Sequence, residues 1–215
     1  MSQTGLAMLG FAAGMISIIV DGRHAVVIAG MAVAVGLVPT AAVQGGDPAV
    51  IMLLVAAAAT GVLSFISTWL ARRSSWVAGL DPLVPAVSPG QQLFGPRSVR
   101  VAAGAVAAPA ASWASFNVPV GDVTIVAGLL FAIAYIWLCG AARLLVARTL
   151  EDLAVATVMV CLSSAVAWVL RGGPSALAEA SCLAALAPLA GLTAGWLAGR
   201  HHRRQATGGA ATESA

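Results

Sequence analysis

The ionisable residues of this chain stand at the ends of long apolar runs and not in the middle of them. Charges at mid-membrane depth are typical of proton and ion pathways, whereas charges at the ends of apolar segments stay hydrated at little cost. For charges at such ends, anchoring at the membrane surface or a short salt bridge is the favoured interpretation. The alternative, for the residues at one set of ends, is that they contact neighbouring polypeptides or border a polar path. They are Asp21, Arg23, His24, Arg143, Arg148, Glu151 and Asp152.

One apolar run also carries a line of small polar side chains. Thr157, Cys161 and Ser164 follow the spacing i, i+4, i+7, which places them on one face of a helix, with Ser163 beside them. The pattern favours hydrogen bonds to a neighbouring helix, and a water-lined path is the alternative. Cys161 has no base or cation nearby in sequence that would activate its thiol, so a nucleophilic role is not indicated.

Motifs for catalysis or metal binding are absent from the sequence. The histidines are His24, His201 and His202, and the cysteines Cys139, Cys161 and Cys182 form no CxxC or Cys/His pattern. No nucleophile has a base at motif spacing, and no glycine-rich phosphate loop is present. We therefore predict no catalytic residues and no metal ligands, and expect that this chain is not an enzyme by itself.

The composition predicts a membrane protein. Of 215 residues, 60% are hydrophobic and 9% are charged, whereas soluble domains carry about 25% charged residues. So few charges cannot cover a water-facing surface, which excludes a soluble enzyme. The basic residues are all arginine and are scattered singly or in small groups, so the net charge of +3 does not indicate a nucleic-acid binder. The predicted fold class is an all-α integral membrane protein.

Seven charge-free stretches have about the length of 20 helical residues that a bilayer requires. We predict transmembrane helices over the ranges 5–20, 25–43, 48–71, 101–120, 123–142, 153–170 and 180–199.

The arginines predict how these helices are oriented. With seven spans, ten of the eleven arginines fall on one side of the membrane and Arg171 falls on the other. Cytoplasmic loops collect arginine and lysine, so the N-terminus is predicted outside and the C-terminus in the cytoplasm. The organisation is then a three-helix block (1–71), a cytoplasmic loop rich in Pro and Gly (72–100), a four-helix block (101–199) and a tail (200–215). The tail is predicted to be basic and then disordered.

Small residues at helical spacing predict close helix contacts. Gly10 and Gly14 form one GxxxG motif, and Gly191, Gly195 and Gly199 form two overlapping ones. In a membrane such motifs let helix backbones approach each other. Helix packing is the favoured interpretation, and a face that binds a specific partner is the alternative.

The long loop before the fourth helix contains the tetrapeptide Leu93-Phe94-Gly95-Pro96. With this local match the chain resembles the hydrogenase-4 component E family, a membrane subunit of formate hydrogenlyase-type group 4 nickel–iron hydrogenase complexes. Around the tetrapeptide the arrangement of helices is similar over residues 1–204. Both three-helix units also look like the K-type subunit of NADH:quinone oxidoreductase, each having a basic turn (Arg23, Arg148) before its second helix.

The chain departs from the K-type pattern in the second helix of each three-helix unit. The intramembrane glutamate of that family would fall near Cys161, where no acidic residue is present, and the helix over 25–43 has none either. The resemblance thus implies a subunit without its own proton-carrying carboxylate. Both three-helix units would run in the same direction through the membrane, which suggests a weak internal repeat.

The resemblance implies a non-catalytic subunit of a complex I-like respiratory assembly that couples electron transfer to proton translocation. Its partners would be antiporter-like subunits and quinone-type or anchoring membrane subunits, with iron–sulfur and nickel–iron centres held by those partners and none by this chain. Its location would be the cell inner (plasma) membrane, as a multi-pass protein in contact with lipid. The alternative is a small transporter or permease-like protein, since Pro39, Pro109 and Pro188 could break helices.

Overall fold

The computed structural model describes residues 3–21, 24–73, 96–117, 127–147 and 150–212. At Gln44 and in the helix ends 3–4, 71–73, 96–97, 150 and 197–212 the description is limited to the backbone. All regular structure in this part of the chain is helical. The helices are α1 (Gln3–Ile19), α2 (Ala25–Arg73), α3 (Pro96–Asn117), α4 (Ala127–Leu145), α5 (Leu150–Arg171) and α6 (Ala176–Thr212).

Helix α2 is bent back on itself at Gly46. Gly46 has φ 60° and ψ −159°, a backbone conformation that residues other than glycine rarely adopt. Pro48 follows, and its ring prevents the preceding helix from simply continuing. The two halves then pack side by side. Their closeness is seen at Gly61, where an added methyl group would lie 3.4 Å from Cγ1 of Val27. The bend falls in the predicted connection 44–48, and with it the described part of the chain has seven helical segments.

Within the described ranges, five helical segments are long and apolar enough to cross a membrane. They are Ala25–Val43, Gly45–Leu70, Ala127–Leu145, Glu151–Arg171 and Ala176–Trp196, and Gly5–Ile19 is a shorter apolar helix. Side chains with large apolar surfaces remain exposed along them, including Phe65 (72% exposed). The described part is therefore an all-α, multi-pass membrane protein in contact with lipid. The seventh segment, α3, contains Arg97, Arg100 and Pro109 and is not among these apolar spans.

Two helix ends differ from the sequence prediction. Helix α3 begins at Pro96, so Arg97 and Arg100 lie in a helix and not in the predicted loop 72–100; proline is favoured in the first helical turn because no backbone donor is needed there. Helix α6 continues to Thr212, although the chain after Arg204 was predicted to be disordered. Alanine and arginine are good helix formers, and no proline follows Pro188. Residues 74–95, most of the predicted loop, lie outside the described part.

The first three-helix unit packs on the second, with each helix against its counterpart. Helix α1 lies along α4: methyl groups added at Gly10 and Gly14 would overlap Ala132 and Tyr135, respectively. From the first contact to the second, the residue number rises in both helices, so α1 and α4 are parallel. The first three-helix unit comprises α1 and the two halves of α2, and the second comprises α4, α5 and α6.

The other two pairs of helices follow the same rule. A methyl group added at Gly30, in the N-terminal half of α2, would lie 3.7 Å from Cγ1 of Val158 in α5, and one added at Gly45 would lie 2.6 Å from Val169. In the C-terminal half of α2, the carbonyl oxygen of Thr60 would lie 2.6 Å from a methyl group added at Gly191 of α6. Three parallel pairs of helices thus form the core, and α3 packs on α4 and α1 at its edge.

Candidate functional site

Four charged residues of the described part meet at one face of the bundle, where α1 and α4 end and α3 and α5 begin. Asp21 lies two residues after the end of α1. Arg143 lies in the last turn of α4, and Asp152 lies in the first turn of α5. Arg100 lies near the start of α3. We call these residues the four-charge cluster. They come together because α1 and α4 run toward this face whereas α3 and α5 run away from it.

Arg143 lies at the centre of the cluster and is 1% exposed. Its Nη2 donates to Oδ1 of Asp152 at 2.9 Å and to the carbonyl oxygen of Val20 at 2.9 Å. Its Nη1 donates to the carbonyl oxygen of Ser17. The last carbonyl groups of a helix have no partner within the helix. Arg143 of α4 therefore caps the C-terminal end of α1.

Arg100 closes the cluster from α3. Its Nη2 lies 3.1 Å from both carboxylate oxygens of Asp152, and its Nη1 donates to Asp21. Arg100 and Asp152 are 5% and 4% exposed, and the Asp21 side chain is 25% exposed. Nη2 of Arg143 also lies 3.6 Å from Oδ1 of Asp21. Within the described part of the chain, each aspartate therefore faces the guanidinium groups of both Arg100 and Arg143.

Among the described residues the charges of the cluster balance, which allows Arg100, Arg143 and Asp152 to be buried. Taking an unpaired ion out of water costs several kcal/mol, and only good geometry with further hydrogen bonds offsets this cost. Two arginines face two aspartates, and the helix dipoles add to the effect: a helix N-terminus favours Asp152 and a helix C-terminus favours Arg143. Among the described groups, Nε of Arg143 is buried without a hydrogen-bond partner. The cluster joins both three-helix units and α3 at one end of the bundle.

The cluster contains three of the seven ionisable residues that the sequence singled out. Asp21, Arg143 and Asp152 pair with each other, whereas His24 is exposed and Glu151 is half-buried. Arg23 and Arg148 lie outside the described residues.

Sequence reasoning missed Arg100 because it placed this residue in the loop 72–100. The signal that could have found Arg100 is Pro96, since a proline four residues earlier is typical of the first turn of a helix that would contain the arginine.

The predicted polar line on α5 does not behave as one unit. The hydroxyl group of Thr157 donates to the carbonyl oxygen of Leu153 in its own helix at 2.8 Å, and Nε1 of Trp137 in α4 donates to Oγ of Ser164 at 3.2 Å. Cys161 lies between them and is buried. One member of the line therefore links α5 to α4, as the interpretation of helix adhesion requires, and another bonds within its own helix.

Four of the five glycines of the GxxxG motifs lie in two helix interfaces. A methyl group added at Gly14 would lie 2.6 Å from Cε1 of Tyr135, and one at Gly195 would overlap the carbonyl group of Ser64. Gly10 and Gly191 are equally crowded by α4 and α2. Gly199 lies in α6, at a position where only the backbone is described. At the four crowded positions, any side chain would push the helices apart.

A second polar cluster lies at the opposite face of the bundle, where α5 turns into α6. Oγ of Ser175 donates to Oε1 of Glu179 at 2.6 Å, and Nε1 of Trp168 donates to Oε2. The guanidinium group of Arg171 lies 4.9 Å from the centre of the Trp168 ring. These exposed contacts fix the short connection between the two helices.

Sites for a metal or a larger ligand are not evident in the part of the chain that the structure describes. Within it, no three residues of His, Cys, Asp or Glu are grouped so that they could hold a metal ion. A shallow apolar depression of about 260 Å³ is lined by Ala7, Met8, Phe11 and Phe131. Comparisons with protein-family models, with curated proteins and with solved structures found no match to this chain.

Proposed function

We propose that this chain is a non-catalytic membrane subunit of a group 4 hydrogenase or complex I-like respiratory complex, located in the inner membrane. It would bridge proton-translocating, antiporter-like subunits and quinone-type or anchoring subunits. The observation that carries the proposal is the parallel pairing of the two three-helix units, α1 with α4 and each half of α2 with α5 or α6. This is the arrangement expected of a repeated unit resembling the K-type subunit.

The four-charge cluster supports a structural role within such a complex. Asp21 belongs to the first three-helix unit, Arg143 and Asp152 belong to the second, and Arg100 belongs to α3. Their ion pairs hold the two units and α3 in one fixed arrangement. A rigid block of this kind suits a subunit that positions larger neighbours.

The apolar surface of α2 supports contact with other membrane subunits. In its C-terminal half, Ile51, Val55, Val62, Phe65 and Trp69 are all exposed and recur at the spacing of one helical face. Such a face is suited both to lipid and to a neighbouring membrane helix. In the proposed complex, proton-carrying carboxylates and the iron–sulfur and nickel–iron centres belong to the neighbours.

The test is affinity purification of the tagged chain from its native membrane in a mild detergent, followed by mass spectrometry. An unrelated multi-pass protein with the same tag, purified in parallel, identifies proteins that bind nonspecifically. Specific recovery of antiporter-like membrane subunits together with a nickel–iron or complex I-like large subunit is the expected result. Recovery of the chain alone, as a monomer or homodimer, would contradict the proposal and favour the small transporter instead.

A variant makes this test sharper. Phe65→Ala together with Val62→Ala removes large apolar groups from the exposed face of α2 without disturbing the four-charge cluster. The matched control is Val106→Ala with Trp113→Ala, which removes exposed apolar groups from α3. If a partner packs on α2, the first pair of substitutions lowers the recovery of that partner and the control pair does not.

A further inference from the structure

The C-terminal half of α2 and helix α6 lie side by side in a fixed, parallel register. Gly191 is packed on Thr60, and one turn later Gly195 is packed on Ser64. Gly191 and Gly195 are four residues apart in α6, and Thr60 and Ser64 are four residues apart in α2, so the two contacts share one register. The register of the pair is therefore set by the close contacts of two glycines, and it can be followed along both helices toward their C-terminal ends.

This register brings basic residues of the two helices to the same level. Both helices rise by about 1.5 Å per residue. Arg72 and Arg73, which end α2, therefore fall level with Arg203 and Arg204 of α6, and Arg200 lies about one turn before them. The segments 65–73 and 196–212 contain no Asp or Glu, while α6 adds His201 and His202. Five arginines are thus concentrated without acidic residues in either segment to balance them.

The depth of these arginines relative to the membrane follows from the apolar spans. The two spans end at Leu70 and Trp196, and Trp69 is 45% exposed beside the first of these ends. Tryptophan is enriched where the hydrocarbon layer meets the headgroups. In the register of the two glycine contacts, the backbone of Arg200 falls level with Trp69, and the other four arginines follow within about one turn beyond it. This is the level of lipid phosphates.

We propose that the adjoining ends of α2 and α6 form a binding site for the headgroups of anionic phospholipids. Arginine binds phosphate through paired, charge-assisted hydrogen bonds. Directly below the arginines, Phe65 and Leu70 expose apolar surface against which acyl chains can lie. A lipid therefore matches both parts of the site, whereas a soluble phosphate or an acidic protein segment matches the charged part alone. This proposal does not depend on the parent complex.

The test uses the purified full-length chain in nanodiscs of phosphatidylcholine mixed with phosphatidylglycerol, with the retained lipids identified by native mass spectrometry. The expected result is preferential retention of phosphatidylglycerol, weakened by salt. Arg72→Gln with Arg73→Gln, and separately Arg203→Gln with Arg204→Gln, should each lower the ratio of retained phosphatidylglycerol to phosphatidylcholine by about fivefold or more. Arg171→Gln, at the opposite face of the bundle, is the charge control and should leave the ratio unchanged.

Arg→Lys versions of both pairs keep the charge and should retain most of the preference, which separates loss of the site from loss of the fold. The proposal is overturned if the wild-type chain shows no preference or if only one helix contributes. It is also overturned if inorganic phosphate displaces the lipid at low concentration, or if the Gln variants lose a copurifying protein from native membranes while lipid retention stays unchanged.

Discussion

Arg143 and Asp21 stand at corresponding ends of two parallel helices, and Nη2 of the arginine lies 3.6 Å from Oδ1 of the aspartate. The packing of Gly14 on Tyr135 aligns α1 with α4 about two turns earlier. The same arginine donates to the carbonyl groups of Ser17 and Val20. A side chain of the second three-helix unit therefore completes the end of a helix in the first.

Removing Arg143 should leave a buried carboxylate incompletely paired. Breaking one partner of a buried ion pair costs roughly 3–5 kcal/mol, so we expect Arg143→Gln to lower the free energy of unfolding by about this amount. The loss would be measured by denaturant unfolding in detergent. The double variant with Asp152→Asn removes both charges and should lose less stability than the two single variants added together. Strict additivity would show that Arg143 and Asp152 are not energetically coupled.

The crowding of Gly195 predicts a specific sensitivity to side-chain volume. Gly195→Ala would place a methyl group onto the backbone of α2, and overpacking of this kind costs roughly 1–3 kcal/mol. Gly30→Ala is the matched control, because its methyl group would lie at an ordinary contact distance of 3.7 Å from Val158. Thermal unfolding of both variants in detergent gives the comparison. Equal melting temperatures would contradict the close packing of α2 on α6.

The bend in α2 should depend on glycine at position 46. Because φ is 60° and ψ is −159° there, Gly46→Ala forces a side chain into a conformation that costs about 1–3 kcal/mol. Asp47→Ala, at an exposed neighbouring position, controls for a general effect on the turn. We expect a lower melting temperature and more aggregation for Gly46→Ala only. Similar behaviour of the two variants would contradict a glycine-dependent hairpin.

The orientation predicted from the arginines can be tested with fusion proteins. A reporter active only in the cytoplasm should work when it is fused after Thr212 and fail when the chain is cut and fused at Gly46. A second reporter that is active only outside the cytoplasm should give the reverse pattern. The physical reason is the retention of arginine-rich ends on the cytoplasmic side. Activity of the first reporter at Gly46 but not after Thr212 would contradict the predicted orientation and indicate the opposite one.

The proposed function predicts that Cys161 has no role in proton transfer. Cys161 is buried in α5, and the proposed resemblance to a K-type subunit implies a glutamate near this position. Cys161→Ala should therefore leave proton movement by the parent complex unchanged in inverted membrane vesicles. Assembly of the complex, followed on native gels, is the control. A specific loss of coupling in a fully assembled complex would contradict the prediction.

The sequence predicted the helices better than it predicted the site. Charge-free apolar runs of about 20 residues were enough to locate five of the seven helical segments of the described part within a few residues. The predicted start of α3 was wrong because Arg97 and Arg100 interrupt the apolar pattern. A charged residue without a known partner favours the prediction of a loop. Only contact with Asp21 and Asp152 makes helical burial of Arg100 favourable.

By itself, the sequence determined that this protein is helical and lies in a membrane, because hydropathy and glycine spacing are local properties of the chain. It also placed Asp21, Arg143 and Asp152 at helix ends. The tertiary structure decided that these ends meet, that Arg100 joins them, and that α1 pairs with α4 while α2 pairs with α5 and α6. Such pairings depend on which small residues of distant helices fit together and on which buried charges cancel, and neither is visible in one stretch of sequence.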